Sequence, residues 1–458
     1  MRKPATAALA ACLTIAMAQP AGAAAAERRG PGNASYDIAM RWHADSAVLD
    51  GVERVEFENT RASKVGAVWL RLWPNGLGSC AHPRSTVKLL AGGTAESQAA
   101  GCTAQKVHLS GELAPGERGA IRLRFSVRVP PSGGRFGYLR GGPALLGNAL
   151  PILAVTDASG THREPYTDFG EAGYSLVSSW RVTLDLRRGL KAATTGVQTG
   201  STDVSSKTRR LRFEAAHARD FELAIGSFHR QSTTAGGVRI RLFDTLRSGS
   251  DANGLRKEVL GLARKRVLDY VRRFGTYGAP ELDIVRTDSV GGGMEYPELV
   301  FVDMPDSTAS SRWRSTAGLI AHEIAHQWFY GLVGDNQWRE PWLDEGFATF
   351  ASGFPFHTCS PGDPLAGYPS NVRLTSTMEL FDARPWLYDA AYVGGACALA
   401  DLRTGLGTTP FKDWIGAWVA DHRYGVATTS DFVAAVRAAA PPGFDVDAYL
   451  RASRIDVR

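Results

Sequence analysis

The sequence predicts a multidomain α+β protein, an antiparallel β domain followed by a mainly helical one. Two patterns carry that expectation. From about residue 34 to 230, short runs alternate apolar and polar side chains, and clusters of Gly, Pro, Asn and Ser separate them. From Ser311 onward the apolar residues recur at helical spacing instead. A period of two suits a strand with one wet face, and a period near 3.6 suits a helix with one buried face. At 458 residues the chain has room for two or three domains. Its hydrophobic fraction of 44% and charged fraction of 21% are ordinary for a globular protein and exclude disorder as the main state.

At the N-terminus, Arg2 and Lys3 precede a run from Ala5 to Ala18 that is apolar apart from Thr6 and Thr14. Small residues follow at Pro20-Ala21-Gly22-Ala23-Ala24. This is the pattern of a signal peptide over residues 1–26, cleaved between Ala23 and Ala26, and it predicts a secreted, extracellular protein. The run is too short for a membrane span, and no other stretch suits one. Lipid attachment at Cys12, within Leu9-Ala10-Ala11-Cys12, is set aside because almost no apolar run precedes it.

Four cysteines remain beyond Cys12, and four permit three pairings. Cys80 with Cys102 and Cys359 with Cys397 is the economical choice, since each pair then stays within one domain. None has CxxC spacing. The formal charge of +6 is dispersed, with no basic stripe interleaved with aromatics, so no nucleic-acid partner is expected.

In chain order, strands are expected at Tyr36–Trp42, Val52–Phe57, Val68–Trp73, Ile121–Val129, Trp180–Leu186 and Leu211–Glu214. Residues 81–103 read as a loop-rich excursion held by a disulfide. The character changes at Ser232-Thr233-Thr234-Ala235-Gly236-Gly237, which divides a β domain (27–231) from a second domain (232–458). A strand at Val238–Phe243 precedes a long amphipathic helix whose buried stripe is Leu255, Val259, Leu262, Tyr270 and Phe274. Strands at Glu281–Arg286 and Leu299–Val302 flank the turn Gly291-Gly292-Gly293-Met294-Glu295-Tyr296-Pro297. The second of these strands is expected to accept an extended peptide by strand addition. A late helix covers Asp431–Ala440.

The densest chemistry lies in residues 315–353. His322-Glu323-Ile324-Ala325-His326 is an HExxH on a helical segment, which puts both imidazoles on one face, a turn apart. Such a pair is also compatible with ordinary core histidines. The case for a metal rests on Trp342-Leu343-Asp344-Glu345-Gly346-Phe347-Ala348, with eighteen residues between His326 and Glu345. Catalytic zinc usually takes three protein ligands and keeps one position open, and Glu345 is the third. Pro341 suits the first turn and Gly353 the C-terminal cap of the short helix that carries it. Glu323 is placed to act on water as a general base. An oxyanion needs a further donor, for which Tyr388 and Tyr392 are both candidates. Glu295 is either a solvated turn glutamate or a group that meets a substrate's α-amine. The glycines before it allow close backbone approach by a ligand.

With these motifs in order, the chain resembles the M1 family of zinc aminopeptidases, gluzincins that include aminopeptidase N. The likeness rests on Gly292-Gly293-Met294-Glu295, on His322-Glu323-Ile324-Ala325-His326-Gln327-Trp328-Phe329, on the Trp342–Ala348 segment, and on Tyr392 with Gly394 and Gly395 shortly after it. It implies a saddle-like N-terminal β domain and a thermolysin-like catalytic domain, in a short form without the large C-terminal helical domain of many relatives. It further implies one Zn2+ per chain on His322, His326 and Glu345, with Glu323 as general base and Tyr392 stabilising the oxyanion. Glu295 would bind the substrate amine, with Gly292, Gly293 and Met294 beside it. The implied partners are peptides with a free N-terminus, and the expected state is a monomer. The sequence departs from the family pattern at Tyr296, where asparagine is usual, at Gly394, where lysine is usual, and at Asp344, where asparagine is common. A second amine-binding group is expected from Asn148, Asp168 or Glu171. The competing functions are a zinc endopeptidase or epoxide hydrolase-like relative on the same site, and a non-catalytic peptide-binding module. A non-catalytic module is expected to have lost ligands or base, and here all are present.

Overall fold

A computed structural model describes residues 29–456 except 168, 169, 172 and 354–358. The expected signal peptide and Asp168 lie outside the described residues. The first domain is built on a seven-stranded sheet. In spatial order its strands are Val197–Asp203, Thr208–Ala218, Ser178–Arg187, Gly32–His43, Val48–Glu58, Arg118–Arg128 and Ser85–Ala91. Alternation places Ala34, Tyr36, Ile38, Met40 and Trp42 in one core with Leu123, Phe125, Val182 and Phe213, while Asp37 and Arg41 face out.

The antiparallel character expected of the first domain holds for its sheet except at one pair, where Gly32–His43 runs parallel to Ser178–Arg187. A period of two reports which face is buried and is silent on strand direction. Residues 81–103 are not loop-rich either. They hold the strands Ser85–Ala91 and Gly93–Ala99, whose half-exposed side chains hide the usual alternation. Both disulfides join the expected partners, Cys80 to Cys102 and Cys359 to Cys397.

The second domain opens with a five-stranded sheet ordered His229–Ala235, Val238–Asp244, Glu281–Thr287, Leu299–Asp303 and Gly293–Met294. The boundary expected at 231/232 falls inside the first of these strands. Helix α1 (Ser250–Phe274) packs on this sheet and on α2 (Trp313–Ala325). Its stripe includes Ala263 and Val267 as well as the expected residues, with Leu262 only partly buried. Helix α3 (Trp342–Ser352) lies against α2 and ends at Gly353 in the left-handed conformation, φ 91°. Of the later helices, α5 (Gly395–Leu406), α6 (Thr408–Asp421) and α7 (Thr429–Ala439) pack against α3, and α4 (Met378–Ala383) and α8 (Val446–Ala452) join the same apolar core. No helix among the described residues is long and apolar enough to cross a membrane.

One relation inside the sheet corrects an expectation. Leu299–Asp303 is hydrogen-bonded on both sides, to Glu281–Thr287 and to Gly293–Met294. It therefore has no free edge for a peptide. The two-residue strand Gly293–Met294 is the edge.

Candidate active site

Helix α2 delivers His322 in its last turn and His326 at its C-terminal cap, still with helical dihedrals. The two Nε2 atoms are 3.0 Å apart. Glu345, in the first turn of α3, brings Oε2 to 3.1 Å from His322 Nε2 and 3.3 Å from His326 Nε2. A tetrahedral zinc with bonds of about 2.0–2.2 Å spaces its ligands roughly 3.3–3.5 Å apart, so this donor set fits the ion that the motif implies. His326 Nδ1 lies 3.0 Å from the Phe329 carbonyl, so that donation leaves the Nε2 lone pair for a metal. A second trio, Glu295, Glu323 and His326, also has ligand atoms within 4.8 Å of one another. The tighter spacing of the first favours it as the metal site.

Electrostatics agree with a site that suits a cation. Burial depresses the His322 pKa, whereas at His326 the opposing burial is outweighed by Glu345 and the pKa is pushed up to about 9. Burial alone would raise Glu345, but the two rings hold it down at about 2. Glu323 and Glu295 are both pushed well above the carboxylate range, first by burial and then by neighbouring carboxylates. Glu323 Oε2 has no hydrogen-bond partner among the described residues. Several acids held together in a buried pocket are what a divalent cation offsets.

The four site motifs line one cavity of about 1040 Å3. Gly292, Gly293, Met294, Glu295, His322, Glu323, His326, Glu345 and Tyr392 all contribute to its wall. Close glycine contacts bring them together. A Cβ on Gly293 would collide with the Glu323 carboxylate, so only glycine lets the edge strand lie against the HExxH helix. Gly346 of α3 crosses Gly395 of α5 so tightly that a Cβ on Gly346 would sit 2.8 Å from the Gly395 Cα. That crossing carries the π-helical turn Ala390–Gly394 over α3 and sets the Tyr392 hydroxyl 2.6 Å from Glu345 Oε1. Tyr388 also lines the cavity but packs edge-on against Tyr392. At Gly394, where the family has lysine, a Cβ would run into Leu365.

Other groups in the site carried little sequence signal. The Asp303 carboxylate accepts from Val290 N at 3.1 Å, Gly291 N at 2.7 Å and Gly292 N at 3.2 Å, and so shapes the glycine turn. Gln337 Nε2 donates to Glu295 at 3.3 Å and to Asp344 at 2.8 Å. Gln327, next to HExxH, donates to the Tyr296 carbonyl at 3.1 Å and accepts from Glu298 N at 2.8 Å. It locks the Met294–Glu298 segment to α2. Only adjacency to a motif marked Gln327, and nothing in the sequence marked Asp303 or Gln337.

Of the expected second amine-binding groups, Glu171 lines the cavity and pairs with buried Arg135. Asn148 does not line it. Asn148 Oδ1 instead accepts from the Tyr296 hydroxyl at 3.3 Å, and Gly147 leaves the room that this tyrosine needs. The exchange of asparagine for Tyr296 therefore tightens the junction with the first domain.

Fold and donor set together define the class, a two-domain α+β scaffold with a candidate metal site of the HExxH-plus-glutamate kind. Residues 264–377 match the peptidase family M1 domain. It is 28% identical to Aminopeptidase M1-A of Oryza sativa subsp. japonica over 46% of this chain and 26% of the relative. With Aminopeptidase M1 of Arabidopsis thaliana it is 28% identical over 47% of this chain and 27% of the relative. The chain thus spans about a quarter of the length of these relatives. In fold it is similar to the crystal structure of an M1 zinc metallopeptidase from Deinococcus radiodurans, with a TM-score of 0.65, 19% identity, and coverage of 92% of this chain and 93% of the other. A mutant of that protein has been crystallised bound to Tyr-Ser-Ala substrate.

Proposed function

We propose that the protein is an exported, monomeric zinc aminopeptidase that removes N-terminal residues from peptides, with one ion per chain on His322, His326 and Glu345. The observation that carries this reading is the convergence of three ligand atoms, 3.0–3.3 Å apart, in a cavity that Glu323 and Glu295 share. Zinc, when bound there, supplies a Lewis acid and lowers the pKa of water at its open position.

The chain's own residues do the rest. Glu323, buried and with one oxygen uncommitted, takes the proton from the attacking water and passes it to the leaving amine. Tyr392 turns its hydroxyl from Glu345 to the developing oxyanion, a donor that adds no charge. Glu295 holds the substrate's α-ammonium, and Glu171 stands by as the second carboxylate. After burial, Glu171 is the strongest influence raising the Glu295 pKa, so an ammonium placed between them relieves that repulsion. The edge at Gly293–Met294 aligns the substrate backbone by strand addition. The relatives named as aminopeptidases support the reading, and the N-terminal sequence pattern supports export.

The test is turnover of a panel of amino-acid anilides, with and without chelator and after N-acetylation. Acetylation and chelation are each expected to abolish turnover, and Glu323→Gln to lower kcat by about 10²–10⁴-fold. Retained turnover of acetylated substrates overturns the exopeptidase assignment.

A further inference from the structure

The catalytic cavity has an uncommitted cation on the wall that the first domain supplies. Acids dominate its buried part, where Glu295, Glu323 and Glu345 are 3–4% exposed. Two guanidinium groups also line it, Arg84 and Arg135. Arg135 is consumed by structure, pairing with Glu171 and donating to the Gly170 carbonyl at 2.8 Å and the Thr167 carbonyl at 3.3 Å. Arg84 uses Nε alone, donating to the Leu77 carbonyl at 2.9 Å. Its two Nη groups make no hydrogen bond or ion pair among the described residues. A half-buried guanidinium whose planar end is left free offers a fork for a carboxylate.

The backbone around Arg84 is unusually well held for a cavity rim. Buried Asn75 donates to the Ser85 carbonyl and the Cys102 carbonyl, both at 3.0 Å, and accepts from Ser85 N at 2.7 Å. The Arg84 carbonyl accepts from Arg128 N at 2.8 Å, and the Cys80–Cys102 disulfide closes the loop before it. Fixing the arm in advance removes ordering cost from binding. The segment 73–85 thus holds a cation in the wall of the cavity, whose lining also carries Glu171, Glu295, Glu323 and Glu345. A zwitterionic ligand matches that polarity, with its ammonium at the acids and its carboxylate at the guanidinium.

Resting on the aminopeptidase reading above, we propose that Arg84 receives the C-terminal carboxylate of a short peptide whose ammonium end is held at Glu295, making the site selective for short peptides with a free C-terminus. The cavity volume of about 1040 Å3 is at the upper end of small-ligand pockets and suits such a substrate better than a folded protein.

The experiment compares Ala-Ala-Ala acid, Ala-Ala-Ala amide and Ala-Ala-Glu amide as substrates for the wild type, Arg84→Gln and Arg84→Lys, with alanine anilide turnover as the check on peptidase activity. Wild type is expected to favour the acid over the amide by about 10–100-fold, mainly in KM, the range for one charge-assisted bidentate contact. Arg84→Gln brings that ratio near one, and Arg84→Lys retains part of it. A wild-type ratio near one, or a ratio that survives Arg84→Gln, overturns the proposal. So does an Ala-Ala-Glu amide as good as the free acid, because Arg84 then reads any carboxylate. Calorimetric binding of the acid and the amide to the zinc-loaded Glu323→Gln protein asks the same question without turnover. If the anilide and all peptides resist hydrolysis, the aminopeptidase reading fails, and the binding ratio still decides the role of Arg84.

Discussion

The Tyr392 hydroxyl donates to Glu345 Oε1 at 2.6 Å, while the other oxygen of the same carboxylate faces the two imidazoles. One side chain thus couples the candidate metal ligands to the hydroxyl proposed as the oxyanion donor. Tyr392→Phe removes the donor and leaves the ligands in place. It is expected to lower kcat about 10²–10³-fold with zinc content unchanged by atomic absorption. Loss of metal in this variant, or undiminished kcat, sinks the assigned role.

The Gly346–Gly395 crossing sets the distance between α3 and the turn that carries Tyr392. Alanine at either position forces backbones apart, since the atom met is a Cα and not a side-chain tip. Gly395→Ala is expected to cost about 1–3 kcal/mol in urea unfolding, the range for overpacking. It should also depress kcat more than KM. A neutral substitution on both counts means that the helices part without consequence.

Asp303 satisfies three successive backbone N–H groups of the glycine turn. Asp303→Ala leaves these donors without their acceptor and frees Gly291 and Gly292, which sit at φ 88° and 154°. KM for peptides is expected to rise about 10-fold, as for loss of a charge-assisted contact, with zinc affinity retained. Unchanged KM argues against a role for the turn in seating substrate.

His162 supplies a pH-dependent tie between the two domains. Its Nε2 is 2.6 Å from Asp157 and its Nδ1 2.8 Å from Glu164. The Glu164 carboxylate in turn reaches the segment between α2 and α3, where Arg339 lies 3.4 Å from it. Burial opposes the imidazolium, but the two carboxylates outweigh it and raise the His162 pKa. The folded-state pKa therefore exceeds the unfolded value near 6.5. The stabilisation is present in full below that value and is lost as pH rises through the folded pKa. The Tm difference between wild type and His162→Gln should shrink from pH 6 towards pH 9 in buffers of matched salt. A pH-independent difference refutes the charged assignment.

Much of the site was legible because its chemistry is local. HExxH on one helix puts two imidazoles on one face by periodicity, and bringing Glu345 to them needed only a second short helix ending at Gly353. The disulfide pairs followed from keeping each bridge within a domain. What was illegible depends on partners distant in sequence. Asp303 and Gln337 act through groups on other segments, and neither residue type nor spacing announces that. The same holds for Leu299–Asp303, whose apolar run marks burial without saying whether an edge is free.

From its sequence, this protein had a determined set of candidate metal ligands, a carboxylate beside them and a division into β and helical parts, because each is written in helical spacing or strand alternation. Tertiary structure decided which tyrosine meets Glu345, which strand lies at the sheet edge, and that Glu171 faces the cavity and Asn148 does not. These are close approaches between distant segments, set where glycines remove a Cβ and where one buried polar group finds another.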